Sequence, residues 1–141
     1  MTVMTLKDVT DFFKELNTSE NWGIQNFYRG KLDNKKEKSV GFYNLKDKVY
    51  TPYIGGPTTG KDRDFYCSIL IHWTKEYSPC EEVSSKIYNK IIELYDDLDL
   101  EIGGFQVNYL ELLSGNEDVG TDDNNVYERV IQLKICYNIK D

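Results

Sequence analysis

Apolar residues recur along this chain in two rhythms, and the switches between them mark out its elements. In TLKDVTDFFKELN, Leu6, Val9, Phe12, Phe13 and Leu16 fall at helical spacing. Thr5 with Asp8 resembles a capping box, so a first helix is predicted there. WGIQNFYRGKL and KSVGFYNLK follow as two strand-like runs on either side of a basic turn, Asn34 to Lys38. FYCSILIHW alternates, with Phe65, Cys67, Ile69, Ile71 and Trp73 on one face. Its other face also carries Tyr66 and Leu70, as expected of a central strand.

The second helical signal is stronger. Ser78 suits an N-cap, Pro79 the first helical position, and Glu81 completes a capping box. Val83, Ile87, Ile91, Leu94 and Leu98 form its expected buried stripe, with Tyr88, Ile92 and Tyr95 beside it. LEIGGFQVNYLELL reads as a hairpin around Gly103-Gly104. SGNEDVGTDDNN reads as an acidic loop. The last strand alternates from Tyr127 to Ile139, one face apolar apart from Arg129 and the other mostly polar. The order helix, strands, helix, strands predicts one α+β domain over residues 1–141, a largely antiparallel β-sheet with two helices packed on one face.

Composition narrows the function. The net charge of −7 argues against a nucleic-acid binder, which needs clustered Lys and Arg to neutralise phosphates. The 11 tyrosines suit protein–protein contacts, where their amphipathic rings are common. No apolar run approaches a membrane span, and the N-terminus lacks a signal-peptide apolar region. Cys67, Cys80 and Cys136 form an odd set without metal spacing, which points to a reducing compartment. Cys80 falls in the first turn of the second helix, where the dipole favours thiolate, but no His is placed to serve it and no catalytic role is read.

IGGPTTGKD spells most of a nucleotide-binding P-loop, from Gly55 to Lys61. The chemistry fails at Asp62, which places negative charge where a Ser or Thr would hold magnesium. The context fails too, because the following DRDFYCSILIHWT reads as a strand and not as a helix. His72 is the only histidine and alternates within a strand, which reads as a satisfied or partly exposed position, not a catalytic one. Asp118, Asp122 and Asp123 lack the ligand spacing of an EF-hand, whose twelfth position counted from Asp118 is Arg129. No catalytic residue, cofactor or metal ligand set stands out.

Three stretches carry a resemblance. GKLDNKKEKSVGFYNLK, CSILIHWTK and VGTDDNNVYERVIQLKICY resemble the phage minor capsid proteins found in prophages of Gram-positive bacteria, which are similar to the tail terminators of long-tailed phages. The resemblance runs from Ile24 to Tyr137. Its most specific pieces are Gly30-Lys31-Leu32-Asp33, Leu70-Ile71-His72-Trp73 and Val119-Gly120-Thr121-Asp122-Asp123. Tyr50 to Arg63 matches least beyond Gly55-Gly56.

The resemblance implies a structural protein and no enzyme. Such a protein forms a ring, usually hexameric, on the head-proximal end of the tail tube, stops tube growth and offers a docking surface to the head. The implied partners are further copies of the chain, the tail tube protein and a head-completion or connector protein. No sequence-specific nucleic acid and no membrane are implied. The implied location is the virion, at the head–tail junction, and the host cytoplasm during assembly. Expected contact elements are strand edges and the loops 50–64 and 114–125, with Tyr53, Gly55, Gly56, Lys61, Asp62 and Arg63 as candidate contacts. Glu117, Asp118, Asp122 and Asp123 of the acidic loop are candidates for lining a DNA channel, where like charge prevents sticking. Two other readings remain open: a different phage neck or tail component, and a small enzyme or ligand-binding domain.

Overall fold

The computed structural model describes residues 2–45 and 62–139. Helix α1 (Leu6–Glu20) leads into strands β1 (Asn26–Arg29), β2 (Ser39–Asn44) and β3 (Asp62–His72). Helix α2 (Tyr77–Glu93) runs into a 3-10 turn (Leu94–Asp96), followed by β4 (Glu101–Ile102), β5 (Phe105–Leu112), β6 (Glu117–Thr121) and β7 (Tyr127–Asn138). The sheet order is β1-β2-β3-β7-β5-β4, with β6 paired to β7 beside β5. This is an α+β fold whose described strands are antiparallel except at one edge.

That edge departs from the simplest reading of two runs flanking a basic turn. β1 pairs β2 in parallel, Asn26 with Ser39 through Arg29 with Phe42. A two-residue hairpin cannot make a parallel pair, so the chain from Gly30 to Lys38 has to cross over the sheet. It crosses the face that points away from the helices. A Cβ on Gly41 would lie 2.9 Å from the Tyr43 ring and 3.2 Å from Leu32 Cδ1 of the crossing segment.

Both helices cover the other face. Val9, Phe13, Ile87 and Ile91 join Phe42, Ile69, Ile71, Ile131, Leu133 and Ile135 in one buried cluster. Each such aliphatic side chain contributes about 1.5–3 kcal/mol on burial. The rings of Phe13 and Phe42 lie 5.4 Å apart, which seats α1 over β2. Lys90 of α2 reaches Glu20 of α1 at 3.5 Å.

Local signals explain several boundaries. Thr5 and Asp8 form the expected capping box: Thr5 Oγ1 accepts from Asp8 N–H at 3.4 Å and Asp8 Oδ2 accepts from Thr5 N–H at 2.8 Å. The Gly103-Gly104 hairpin is present, with Ile102 opposite Phe105 and φ of 62° and 81° at the two glycines. A two-residue turn with positive φ at both positions needs glycine or asparagine.

Three sequence expectations are corrected. Helix α2 starts at Tyr77, after a Glu76 cap that makes no side-chain hydrogen bond, and not after Ser78. Tyr77 is drawn into the first turn because its ring packs edge-on to Tyr127 at 5.4 Å and its hydroxyl donates to Glu81 Oε2 at 3.1 Å. Pro79 is still accommodated, since the first-turn N–H groups have no helical partner to lose. Leu98 is not in the buried stripe: α2 has ended by Glu93, and Leu98 is 85% exposed. The acidic segment is strand and turn, because Glu117–Thr121 pairs with Tyr127–Val130 as β6.

Candidate functional site

β3 and β7 run antiparallel along their whole length, and two adjacent rungs of that ladder carry the polar groups of interest. Ile71 stands opposite Arg129, and His72 stands opposite Glu128. Successive side chains in a strand alternate faces. Arg129 therefore points to the helical side and His72 to the side crossed by residues 30–38. Backbone bonds beyond the ladder hold both rungs: Trp73 N–H to Tyr127 O at 3.0 Å, Tyr127 N–H to Thr74 O at 2.9 Å and Lys38 N–H to Trp73 O at 2.8 Å.

His72 is fully buried. Its Nε2 lies 3.1 Å from the carbonyl oxygen of Asn34 in the crossing segment. Its Nδ1 lies 2.9 Å from Glu128 Oε2 and 3.7 Å from Asp122 Oδ2. Asp122 begins the turn between β6 and β7. Its Oδ1 accepts from the N–H groups of Asn124 at 2.9 Å and Val126 at 3.0 Å. These two bonds aim Oδ2 inward, where it is buried and has no hydrogen-bond partner. Among the described residues, His72, Asp122 and Glu128 form the one group of such donors close enough to share a metal ion, all within 4.8 Å.

On the helical side Arg129 has protein partners for most of its guanidinium. It donates to Asn116 O at 3.2 Å, Tyr77 hydroxyl at 3.1 Å and Glu81 Oε2 at 3.4 Å, with Asp118 Oδ2 at 4.0 Å. The Tyr77 ring lies 5.8 Å beneath it, a cation–π contact. Asp118 is Arg129's cross-strand partner, which explains how so acidic a segment forms a strand.

The candidates from sequence fall in different places. Tyr53, Gly55, Gly56 and Lys61 lie outside the described residues. Asp62 and Arg63 do not belong to a loop: they open β3, opposite Asn138 and Tyr137. Asp62 Oδ1 accepts from Asn108 Nδ2 at 2.8 Å, and Arg63 donates to the Asp62 carbonyl at 2.9 Å. A strand immediately after Lys61 agrees with rejecting the P-loop, which has to open into a helix. Glu117 and Asp118 lie in β6, Asp122 joins the histidine cluster, and Asp123 is exposed in the turn. The acidic segment is therefore tied to Arg129 and His72, not a free loop.

At Cys80 burial outweighs the helix dipole. Cys80 is buried, its Sγ 3.6 Å from Tyr127 O, and burial pushes its thiol up to about 11 despite the opposing pull of Arg129. Burial pushes Cys67 up to about 12. Neither is poised as a thiolate nucleophile.

No family model matches the chain, and no curated protein matches it. A solved structure of the gp17 protein of bacteriophage SPP1 is similar over 100% of this chain and 96% of that chain, at 14% identity and a TM-score of 0.41. That likeness is too distant to carry an argument.

The sequence pattern puts His72 at a satisfied or partly exposed strand position and gives Glu128 no role; full burial removes the exposed alternative. Its two ring nitrogens do have partners, but those partners come from remote segments. The missed signal was the phase of alternation: Glu128 falls on the polar face of its strand, and His72 falls on the face of its own strand away from the isoleucines.

Proposed function

We propose that this chain is a structural protein of a long-tailed phage particle, and that it closes the head-proximal end of the tail tube as a ring. The reading rests on the sequence resemblance, and one observation strengthens it. The three most specific stretches, remote in sequence, converge in space. Asn34, next to Gly30–Asp33, contacts His72 of Leu70–Trp73, and Asp122 of Val119–Asp123 faces the same ring. The resemblance thus falls on one folded unit instead of scattered surface positions.

A ring built from one domain needs two different surfaces that fit each other head to tail. In this reading two separate patches of the chain supply them. β6 is a short edge strand with a bulge at Val119, whose side chain is exposed. Ile92 at the end of α2, Tyr95 of the 3-10 turn and Leu98 beyond it are exposed within seven consecutive positions. Exposed apolar side chains gathered in this way suit a protein contact. In this reading the tube protein meets one face of the ring and the head connector the other. The tube end acts as template, so subunit contacts remain weak in free solution.

The test is to add purified chain to isolated tail tubes and image them by negative stain. Rings at one tube end, lost with Val119→Asp or Leu98→Asp at unchanged folding, are expected. Tubes that stay bare at saturating protein contradict the proposal.

A further inference from the structure

We propose that His72, Asp122 and Glu128 bind one divalent metal ion, zinc or manganese, which ties β3 and β7 to the β6–β7 turn. The inference stands independently of the phage reading. It begins with a count of donors and acceptors. A neutral imidazole has one N–H, yet both ring nitrogens of His72 face acceptors: the Asn34 carbonyl at 3.1 Å and the Glu128 carboxylate at 2.9 Å. If Nε2–H donates to Asn34, the Nδ1 lone pair points at two carboxylates, and only a proton or a cation can sit there.

A proton on Nδ1 serves Glu128 but leaves Asp122 Oδ2 buried and without a partner. A metal ion serves all three donors. No lysine or arginine among the described residues pairs with Asp122 or Glu128, and the side chains are 13% and 19% exposed. Two carboxylates beside a neutral ring carry the charge that a divalent ion cancels. Metal–ligand bonds of about 2.0–2.2 Å place neighbouring ligand atoms about 3.0–3.5 Å apart. The Nδ1 distances of 2.9 Å and 3.7 Å bracket that range, and all three donor atoms lie within 4.8 Å of one another.

The surroundings match too. A metal-binding imidazole usually donates its other N–H to a backbone carbonyl, which fixes its tautomer, as Asn34 does here. The Asn124 and Val126 N–H groups hold the Asp122 carboxylate in the same way. One imidazole with two carboxylates favours zinc or manganese over calcium, which prefers an all-oxygen shell.

The experiment uses the full chain, stripped with chelator and then titrated with zinc, manganese or calcium by calorimetry. Wild type is expected to bind one equivalent of zinc or manganese and to unfold at higher temperature when loaded. Asp122→Asn keeps the oxygen that caps the turn, and Glu128→Gln keeps its shape. Both are expected to fold in chelator and to bind at least tenfold more weakly. Because His72 is the only histidine, its ring resonances report alone. On zinc addition Nδ1 is expected to lose any proton while Nε2 keeps its own. Failure of wild type to bind, equal affinity in both variants, or a proton retained on Nδ1 with zinc present would overturn the proposal.

Discussion

Two adjacent rungs of one ladder bury a nitrogen-rich side chain on opposite faces of the sheet, and their environments differ in kind. Arg129 on the helical side brings five donors to a carbonyl, a hydroxyl and a carboxylate, supplied by α2 and by Asn116 just before β6. His72 on the crossed side brings at most two donors to a site with more acceptors than it can satisfy, and one oxygen is left over. The first site gives its cation a carboxylate, although Asn116 Oδ1 beside it is also buried without a partner. The second calls for something from outside the chain. Burial alone does not distinguish a structural polar residue from a binding one; the balance of donors against acceptors does.

The contrast can be broken most directly at Arg129. Arg129→Ala removes the bonds to Asn116 and Tyr77 and leaves Glu81 and Asp118 facing no cation. Its carboxylate partners are about half exposed, so the cost falls below that of a fully buried pair, at about 2–3 kcal/mol. Urea denaturation is expected to show that loss equally with chelator and with zinc. A loss of under about 0.5 kcal/mol would mean that the helical side is not held by this residue.

Asp122 gives the next largest effect and separates its two oxygens. Asp122→Ala loses the bonds to Asn124 and Val126 and is expected to cost about 1–2 kcal/mol in chelator. Asp122→Asn retains the capping oxygen and is expected to stay within about 0.5 kcal/mol of wild type under the same conditions. Equal losses would contradict the assignment of that stability to the capping Oδ1.

The pH dependence tests the core beneath both rungs. The folded state raises Cys67 to about 12 and Cys80 to about 11, from an ordinary value of 9.0, because burial disfavours the thiolate. Their contribution is therefore fully present below pH 9 and is lost as pH rises from there toward 11 and 12. Burial also raises Tyr43, Tyr66 and Tyr137, which adds to the alkaline loss. The urea midpoint is expected to be flat from pH 7 to about pH 9 and to fall above it. Since Arg129 opposes the rise at Cys80, Arg129→Ala is expected to steepen that fall. A midpoint unchanged to pH 11 would contradict the thiol burial.

What the sequence made legible was local. The α1 capping box, the Gly103-Gly104 turn and the alternation of β3 and β7 each depend on neighbours a few positions apart, and each is found as read. What it hid was non-local. Parallel pairing of β1 with β2 is a choice of topology, and β6 forms from poor strand formers because Arg129 waits across the ladder. The start of α2 follows from contacts of Tyr77 with Tyr127 and Arg129, which outweigh a good local cap at Ser78. The cluster at His72 needs the β3–β7 register, the crossing segment and the β6–β7 turn at once, so no single stretch announces it.

The proposed role at the tail end is tested most directly by deleting the gene in the phage or prophage that carries it and measuring tails by electron microscopy. The account predicts full heads beside unattached tubes of irregular, excessive length, restored to a fixed length by the wild-type gene in trans. Attached tails of normal length in the deletion mutant would contradict it.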